Sequence, residues 1–382
     1  MNSVEKATPN RAPGRPLRIL EIGSNPLFRM AVPEQTDFYW SGLNLPKGLP
    51  GTRGIGPVRL VRLLRAVGRG AYDLVVVHPN LYPVWHPRAW GKIVASFPLT
   101  APHRLFAATA PWFFRFARGA PVVLVDQADS FGLQRHVIGM AGAVALVFKR
   151  ELPQDKWLVF YRTGHRRLPT KRFRAKRRFR AIVDKLRPIG LPPYGPAGPV
   201  AEPEKTTDVF FAGQTFGTST LREEAIAELR GLALEGITID IPETPLDQAA
   251  FYRRLSAAWL AWSPAGFGWE CFRHYEAPLS GTVPVMNYPT IHRYAPLVDG
   301  EHCFFYSPEP GGLAACIRAA LTDKPRLRAM ARAAQAHVLA HHGRRAVADY
   351  ICRESLGRDL TGAAAGSAET PARPLAERAG SV

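Results

Sequence analysis

The sequence has few cysteines and no long apolar run. Its 382 residues include four cysteines, none of them in a C-x-x-C pair, and all lie in the C-terminal half. This spacing is typical neither of a disulfide framework nor of a structural zinc site, and it fits a reducing compartment. No apolar stretch reaches the roughly 18 residues that a membrane-spanning helix needs, and the N-terminal segment lacks the apolar core of a signal peptide. The sequence therefore predicts a cytoplasmic protein.

Three common phosphate- and metal-binding motifs are also missing. The chain contains no G-x-x-x-x-G-K-[ST] P-loop, and no G-x-G-x-x-G fingerprint follows its first predicted strand. Kinase, ATPase and classical dehydrogenase functions are therefore disfavoured. No D-x-D motif occurs either, which favours a reaction without a bound metal ion. We expect no tightly bound cofactor.

Negative charge is scarce relative to positive charge. Lys and Arg total 50 against 31 Asp and Glu, which gives a formal net charge of +19 and a pI near 10.3. Such a charge attracts nucleic acid, anionic lipid or phosphorylated ligands, and an arginine-rich composition without any partner also produces it. The densest basic run, residues 171–180 (KRFRAKRRFR), leaves the same interpretations open. The aromatic segment 106–116 is a candidate either for the core or for a membrane surface.

Short apolar runs separated by helical patterns indicate an α/β domain in the N-terminal half, residues 16–186. The predicted strands are residues 17–23, 73–78, 121–126 and 143–148, and a helix is predicted near 57–69. This alternation is typical of a Rossmann-like domain with a parallel sheet. Residues 1–15 are polar and rich in Pro and Arg, so we predict that they are disordered.

A proline- and glycine-rich segment, residues 187–204, marks the predicted domain boundary, because this density cannot sustain a helix or a central strand. A second Rossmann-like domain is predicted for residues 205–356. Its predicted strands are 208–212, 237–241, 259–262 and 282–286, and its predicted helices are 221–234, about 246–258 and the end from 312. Residues 357–382 are predicted to be a disordered tail. The predicted fold is α/β, with two Rossmann-like domains facing a central cleft and with C-terminal helices.

The segment 262–286 (WSPAGFGWECFRHYEAPLSGTVPVM) contains the most informative residues. A predicted strand ends where this segment begins, and the following turn of small residues, with Gly266 and Gly268, lets the backbone approach a ligand. The next helix carries Arg273 and Glu276, which share one face because they are three residues apart. The guanidinium group suits a diphosphate, and the carboxylate suits ribose hydroxyls. An ordinary intrahelical ion pair would have the same spacing.

This segment resembles the donor-binding region of two-domain glycosyltransferases of the GT-B fold. It is most similar to exostosin-like transferases and to bacterial spore-coat-type glycosyltransferase-like proteins, in which a small-residue loop precedes C-x-R-x-x-E-A and then G-x-x-P-V. The matching residues here are Cys271, Arg273, Glu276, Ala277, Gly281, Pro284 and Val285. The resemblance implies a nucleotide-sugar donor whose ribose is bound by Glu276 and whose phosphates lie near Arg273, with His274 in the same donor site. It also implies a glycan or lipid-linked acceptor in cell-envelope or surface glycan synthesis.

Two residues depart from that family's pattern or from an ideal helix. Retaining GT-B enzymes usually carry a glutamate before the glycines, and Ala265 takes that place here, which favours inversion of the sugar. Pro278 lies inside the predicted helix, where it removes one backbone donor and predicts a kinked or short helix. Gly281 is expected to end that helix.

A second candidate for phosphate binding follows the predicted strand 208–212. Gly213 lies in the loop after this strand, and either Ser219 or Thr220 is expected to cap the next helix. Free N–H groups at a helix N-terminus bind phosphate, and Arg222 lies just inside the predicted helix. A capped helix without any ligand explains the same residues.

An inverting transfer needs a base that deprotonates the acceptor hydroxyl. We expect this base in the N-terminal domain, across the cleft from the donor. Asp126 and Asp129 follow one predicted strand, and His78 ends another, although such residues are also common in turns and caps. The alternative function is a non-enzymatic basic protein of GT-B-like fold that binds nucleic acid or an anionic membrane. For the enzyme, nucleic acid is not an expected partner, and peripheral association with the inner face of a membrane remains open.

Overall fold

Two parallel β-sheets, each flanked by helices, organise the chain. The computed structural model describes residues 14–41, 53–79, 91, 94–95, 101–160, 177–194, 204–215 and 219–364. The larger sheet has seven strands in the order β3-β2-β1-β4-β5-β6-β7, and the smaller has five in the order β12-β11-β10-β8-β9. Every strand pair is parallel. The predicted fold class, α/β with two Rossmann-like domains and C-terminal helices, is therefore confirmed.

The N-terminal domain is built on the larger sheet. Its strands are β1 Ile19–Gly23, β2 Thr36–Trp40, β3 Arg53–Gly54, β4 Leu74–Val77, β5 Val122–Asp126, β6 Leu146–Lys149 and β7 Leu186–Pro188. Its described helices are α1 Leu27–Ala31, α2 Pro57–Gly68, α3 Ala101–Phe113, α4 Arg135–Ala141 and α5 Arg177–Val183. Strands β1, β4 and β5 are buried at every residue, because helices cover both faces of the sheet.

The C-terminal domain is built on the smaller sheet. Its strands are β8 Thr207–Phe210, β9 Ile239–Asp240, β10 Ala258–Trp262, β11 Val283–Asn287 and β12 Phe304–Tyr306. The helices that follow β8 are α6 Thr220–Leu234, α7 Gln248–Ser256, α8 Arg273–Leu279, α9 Gly312–Leu321, α10 Lys324–His341 and α11 Arg344–Leu356. None of the described helices is both long enough and apolar enough to cross a bilayer.

Each sheet has one point where the direction of winding reverses. In the larger sheet this point lies between β1 and β4, and in the smaller sheet it lies between β8 and β10. Ligands of open α/β sheets bind at the carboxyl ends of the strands at such a point. The fold therefore places one candidate crevice after β1 and β4, and a second after β8 and β10.

The sequence analysis did not predict four of the strands, which are β2, β3, β7 and β12. Strand β7 lies partly within residues 187–204, the proline-rich boundary that was predicted to hold no central strand. It is an edge strand, and proline is tolerated at an edge because no further strand needs its missing N–H. Residues 189–191 beyond it are buried, so the first part of this segment packs against the protein.

The last helix corrects the predicted domain organisation. Residues 344–356 were assigned to the C-terminal domain, but α11 packs against the N-terminal domain. Its Val347 and Ile351 are fully buried in one apolar cluster with Leu17 and Phe28. The amphipathic pattern of α11 showed that one face is buried, but it could not show against which domain.

Part of the predicted disordered tail is also ordered. Leu360 is 2% exposed, and its carbonyl accepts a hydrogen bond from the backbone N–H of Leu17. Gly362 accepts a similar bond from Gly14, which belongs to the segment 1–15 that was also predicted to be disordered. Residues 365–382 and 1–13 lie outside the described residues.

The two segments proposed for polyanion or membrane contact differ in how far they are described. Of the basic run 171–180, residues 171–176 lie outside the described part, and residues 177–180 begin α5. The aromatic segment 106–116 forms the end of α3 and the short 3-10 helix after it, Phe114–Phe116. Phe114 is fully buried and Phe116 is 59% exposed, so this segment contributes both to the core and to the surface.

The packing of α11 generates a stability prediction. Ile351→Ala should lower the free energy of unfolding by about 2–5 kcal/mol, because it leaves a cavity between α11 and the N-terminal domain. The exposed Arg345→Ala in the same helix is the control, and its effect should stay within about 0.5 kcal/mol. Urea unfolding followed by tryptophan fluorescence measures both. Equal effects of the two substitutions would contradict this packing.

Candidate functional site

The crevice of the C-terminal sheet is lined by two loops. One loop begins after β8, at residue 211, and the other, residues 263–272, connects β10 to α8. Ser263 continues the ladder by donating its N–H to the carbonyl of Val285, and it is fully buried. In the sequence, small residues follow the apolar residues of the buried strand at this point. They allow the chain to leave the sheet at its carboxyl edge.

Arg222 ties these two loops together. Its guanidinium donates to the carbonyl oxygens of Ala265 at 2.9 Å, Gln214 at 2.9 Å and Pro264 at 3.2 Å. The side chain projects from the first turn of α6, as predicted from its position. Burial, together with repulsion from Arg273, lowers the pKa of Arg222. Arg222 is therefore committed to holding the loops in position.

Arg273 has hydrogen-bond donors that lack a partner among the described residues. Its Nη2 donates to the carbonyl of Ala212, and its guanidinium lies 4.9 Å from the centre of the Phe211 ring. Its Nε and Nη1 are buried and have no hydrogen-bond partner in the described part of the chain. A buried, charged donor without a partner is costly, so an acceptor from outside the protein would stabilise this group.

The two glycines that face these arginines make room for them. A Cβ atom on Gly213 would lie 2.7 Å from Nη2 of Arg273, and one on Gly266 would lie 3.1 Å from Nη2 of Arg222. The sequence suggested that such glycines let the backbone approach a ligand. In the structure, the space is used by guanidinium groups at the crevice.

Glu276 lies on α8 beside Arg273. It is 9% exposed, and its Oε1 accepts a hydrogen bond of 3.0 Å from the hydroxyl of Tyr252. Burial raises the pKa of this carboxyl group, while Tyr252 and Arg273 oppose the rise. The structure thus brings the predicted Arg273, Glu276 and Gly213 to one crevice.

Helix α8 has the form that the sequence suggested. It spans seven residues, includes Pro278, and is followed by Gly281 with φ +70°. His274, one turn before Pro278, is 1% exposed; its Nδ1 lies 2.7 Å from Oγ of Ser263 and its Nε2 lies 2.9 Å from the carbonyl of Trp269. Both ring nitrogens of His274 are therefore used to hold the loop 263–272 against the helix.

The other side of this loop contacts the N-terminal domain through Glu151. The Glu151 carboxylate accepts the backbone N–H of Trp269 and that of Glu270, each at 2.9 Å. A Cβ on Gly268 would lie 2.4 Å from the Glu151 carboxyl group, so only glycine permits this approach. The predicted donor residue Gly268 thus lies at the contact between the domains.

Arg150 reinforces the same contact. It donates from Nη1 to Asp129, and from Nη2 to the carbonyl of Glu270, while its Nε lies 3.5 Å from Oε2 of Glu270. Glu270 also accepts a hydrogen bond from the hydroxyl of Tyr275. Burial raises the pKa of Glu270 to about 7, although Arg150 opposes the shift. We call Arg150, Glu151 and Glu270 the interdomain contact.

Two of the three candidate bases are occupied by cations. Asp126 is 6% exposed, lies 3.4 Å from Nζ of the fully buried Lys149, and accepts the N–H of Ala128. Asp129 is bound by Arg150. Both aspartates lie at the carboxyl edge of the N-terminal sheet, as predicted, and both are engaged in ion pairs there.

The third candidate, His78, lies at the reversal point between β1 and β4. Its Nε2 lies 2.9 Å from Oε1 of Glu21, a fully buried residue of β1 that also accepts the N–H groups of Phe28 and Arg29. A carboxylate accepts hydrogen bonds, so this contact suits a ring whose Nε2 is the donor. Nδ1 is buried without a partner among the described residues.

Several site residues were missed by sequence reasoning: Glu21, Lys149, Arg150, Glu151, Tyr252 and Glu270. Glu21 is a carboxylate within an apolar run, and residues 149–151 are charged residues directly after a buried strand. Both patterns signal buried charges with partners, but the partners lie far away in sequence. Among the described residues, no group of three or more His, Cys, Asp or Glu could hold a metal ion.

Comparisons with known proteins match the fold. A glycosyltransferase from Rickettsia africae ESF-5 aligns with a TM-score of 0.51 at 10% identity over 89% of this chain and 99% of that one. Sucrose-phosphate synthase from Thermosynechococcus elongatus gives 0.49 at 12% identity over 88% and 98%. Anabaena HepE in complex with UDP-glucose gives 0.45 at 14% over 88% and 99%. No protein-family model and no curated protein sequence matches the chain.

The chain shares with the Rickettsia protein a fold of two Rossmann-like domains, which is the GT-B fold. The comparisons therefore establish the fold of the chain.

The interdomain contact generates a pH prediction. Because the pKa of Glu270 is raised to about 7, the folded protein keeps a proton that the unfolded chain loses at lower pH. Its stability should therefore fall as pH rises from about 5 to about 8, and Glu270→Gln should not show this loss. Urea midpoints across this range measure the difference, with the exposed Glu309→Gln as control. A parallel pH profile for wild type and Glu270→Gln would exclude this contribution.

Proposed function

We propose that the protein is a glycosyltransferase that moves a sugar from a nucleotide diphosphate donor to a hydroxyl acceptor. The observation that carries this proposal is the pair of buried, unpartnered donors of Arg273 at the reversal point of the C-terminal sheet. The oxygens of a diphosphate are charged acceptors, and two of them can satisfy the two donors on different sides of the guanidinium group.

The neighbouring groups suit the rest of the donor. Glu276 has acceptor capacity beyond its bond to Tyr252, so it can accept the ribose hydroxyls. Arg222 adds a second positive charge behind the loops that face the crevice. Two guanidinium groups can neutralise the leaving diphosphate, so we propose a transfer that does not require a metal ion.

The acceptor base in this proposal is His78. Asp126 and Asp129 are held by Lys149 and Arg150, whereas Nδ1 of His78 has no hydrogen-bond partner among the described residues and Glu21 contacts the other ring nitrogen. Glu21 acts as a positioning residue, because it selects the tautomer and holds the ring.

The proposed reaction is a single displacement with inversion. The acceptor oxygen attacks the anomeric carbon, the bond from that carbon to the diphosphate breaks, and the hydroxyl proton passes to His78. Ala265, in the place where retaining enzymes carry glutamate, supports this stereochemistry. The resemblance of the segment 262–286 supports an acceptor in cell-envelope or surface glycan synthesis.

The donor site generates a prediction that separates ligand binding from structure. Arg273→Gln should lower nucleotide affinity by at least about tenfold, because it removes charged hydrogen bonds to the diphosphate. It should not lower the stability of the unliganded protein, since it also removes buried, unsatisfied donors. Arg222→Gln should instead cost about 3 kcal/mol of stability, because three loop carbonyls lose their charged donor.

Thermal shift and calorimetric titration with UDP, GDP, dTDP and CMP, with and without magnesium, measure these effects. Glu276→Gln should weaken binding of the preferred nucleotide, and Arg318→Gln, at an exposed ion pair with Glu235, is the control. If no nucleotide binds wild type, or if Arg273→Gln binds normally, the donor-site proposal is wrong. The alternative of a non-enzymatic basic binding protein would then be favoured.

The base assignment is tested by hydrolysis of the bound nucleotide sugar, in which water takes the place of the acceptor. His78→Gln should slow release of the nucleotide diphosphate by about 10²–10⁴-fold with unchanged donor affinity. Glu21→Gln should have a smaller effect in the same direction. If Asp126→Asn or Asp129→Asn abolishes hydrolysis while His78→Gln retains it, the base is one of the aspartates.

A further inference from the structure

Helix α2 presents a stripe of arginine and valine to solvent. Val58, Val61, Arg62, Arg65 and Arg69 lie within an arc of roughly 100° when residues are placed at helical spacing. Val58 is 65% exposed and Val61 is 46% exposed, and the three arginines are also exposed. We call these five residues the α2 face. The opposite side of the helix is buried in the domain core.

The segment that follows α3 also carries an exposed apolar side chain. A Cβ on Gly119 would lie 2.5 Å from the carbonyl of Val67, so the turn after α3 contacts the end of α2. Phe116, three residues earlier, is 59% exposed, and the Arg115 guanidinium lies 3.5 Å from the centre of the Trp112 ring. The exposed Phe116 therefore lies in a segment that contacts the C-terminal end of α2.

The charge on α2 itself is entirely positive. Helix α2 and the residue after it, 57–69, contain four arginines and no acidic residue, and the next acidic residue along the chain is Asp73. Asp73 is 4% exposed and is bound by Arg15, so it offers no negative charge at the surface. A surface of this composition attracts an extended polyanion.

We propose that the α2 face docks on an anionic membrane surface. The arginines would contact lipid phosphates, and Val58, Val61 and Phe116 would enter the boundary between headgroups and acyl chains. A nucleic acid offers the arginines the same phosphates, but it gives no favourable environment to two exposed valines. The alternation of both residue types on one helical stripe is therefore better matched by a lipid surface. This proposal is independent of the donor site.

Flotation of the full-length protein with vesicles tests the proposal. Wild type should float with vesicles that contain phosphatidylglycerol and stay behind with phosphatidylcholine alone. Arg65→Glu/Arg69→Glu should reduce the bound fraction at least about tenfold, because each basic residue contributes separately near an anionic surface. Arg328→Glu/Arg332→Glu on α10 is the matched control, with the same spacing and the same change in charge, and it should keep binding.

A third variant separates lipid insertion from simple polyanion attraction. Val58→Ser/Val61→Ser leaves the charge unchanged and should still reduce flotation severalfold. The proposal is overturned if wild type does not float, or if the α10 control loses binding equally. It is also overturned if the valine variant floats normally while RNA or DNA binding depends on Arg65 and Arg69. A dimer in gel filtration that the same variants dissociate would assign the face to a second copy of the chain.

Discussion

The loop that faces the C-terminal crevice depends on one carboxylate from the other domain. Glu151 accepts two consecutive backbone N–H groups of this loop, and neither N–H has a partner within a strand or helix. Removing a buried acceptor leaves its donors unsatisfied, which costs more than the hydrogen bonds themselves contribute. The position of the loop, of Arg273 after it, and of the crevice therefore follows from the contact between domains. Gly268 is required because no side chain fits beside that carboxylate.

The buried charged side chains at this contact lie beside side chains of opposite charge. Arg150 lies among Asp129, Glu151 and Glu270, and Lys149 lies beside Asp126, all at the carboxyl edge of the N-terminal sheet. Pairs of this kind contribute little net stability, because desolvation offsets their attraction. They do fix geometry, since each partner would be left uncompensated if the domains shifted. These ion pairs therefore fix the position of one candidate crevice relative to the other.

Arg222 and Arg273 differ in how many of their hydrogen-bond donors have partners. Both are at the crevice, and each has a glycine beside it. Arg222 donates hydrogen bonds to three carbonyl oxygens, whereas two donor nitrogens of Arg273 have no partner among the described residues. The unsatisfied donors destabilise the protein, and the anion that we propose at this position would offset that cost.

The sequence by itself determined the regular parts of this protein. Continuous apolar runs predicted the buried strands, helical periodicity predicted α2 and α6, and Pro278 with Gly281 predicted a short helix that carries Arg273 and Glu276 on one face. These features are set by neighbours within a few residues. Only the tertiary structure decided that α11 packs on the N-terminal domain, that β7 uses Pro188 at an edge, and which donors of Arg273 stay free. Hydrogen-bond satisfaction and burial depend on partners distant in sequence, and local periodicity contains no information about them.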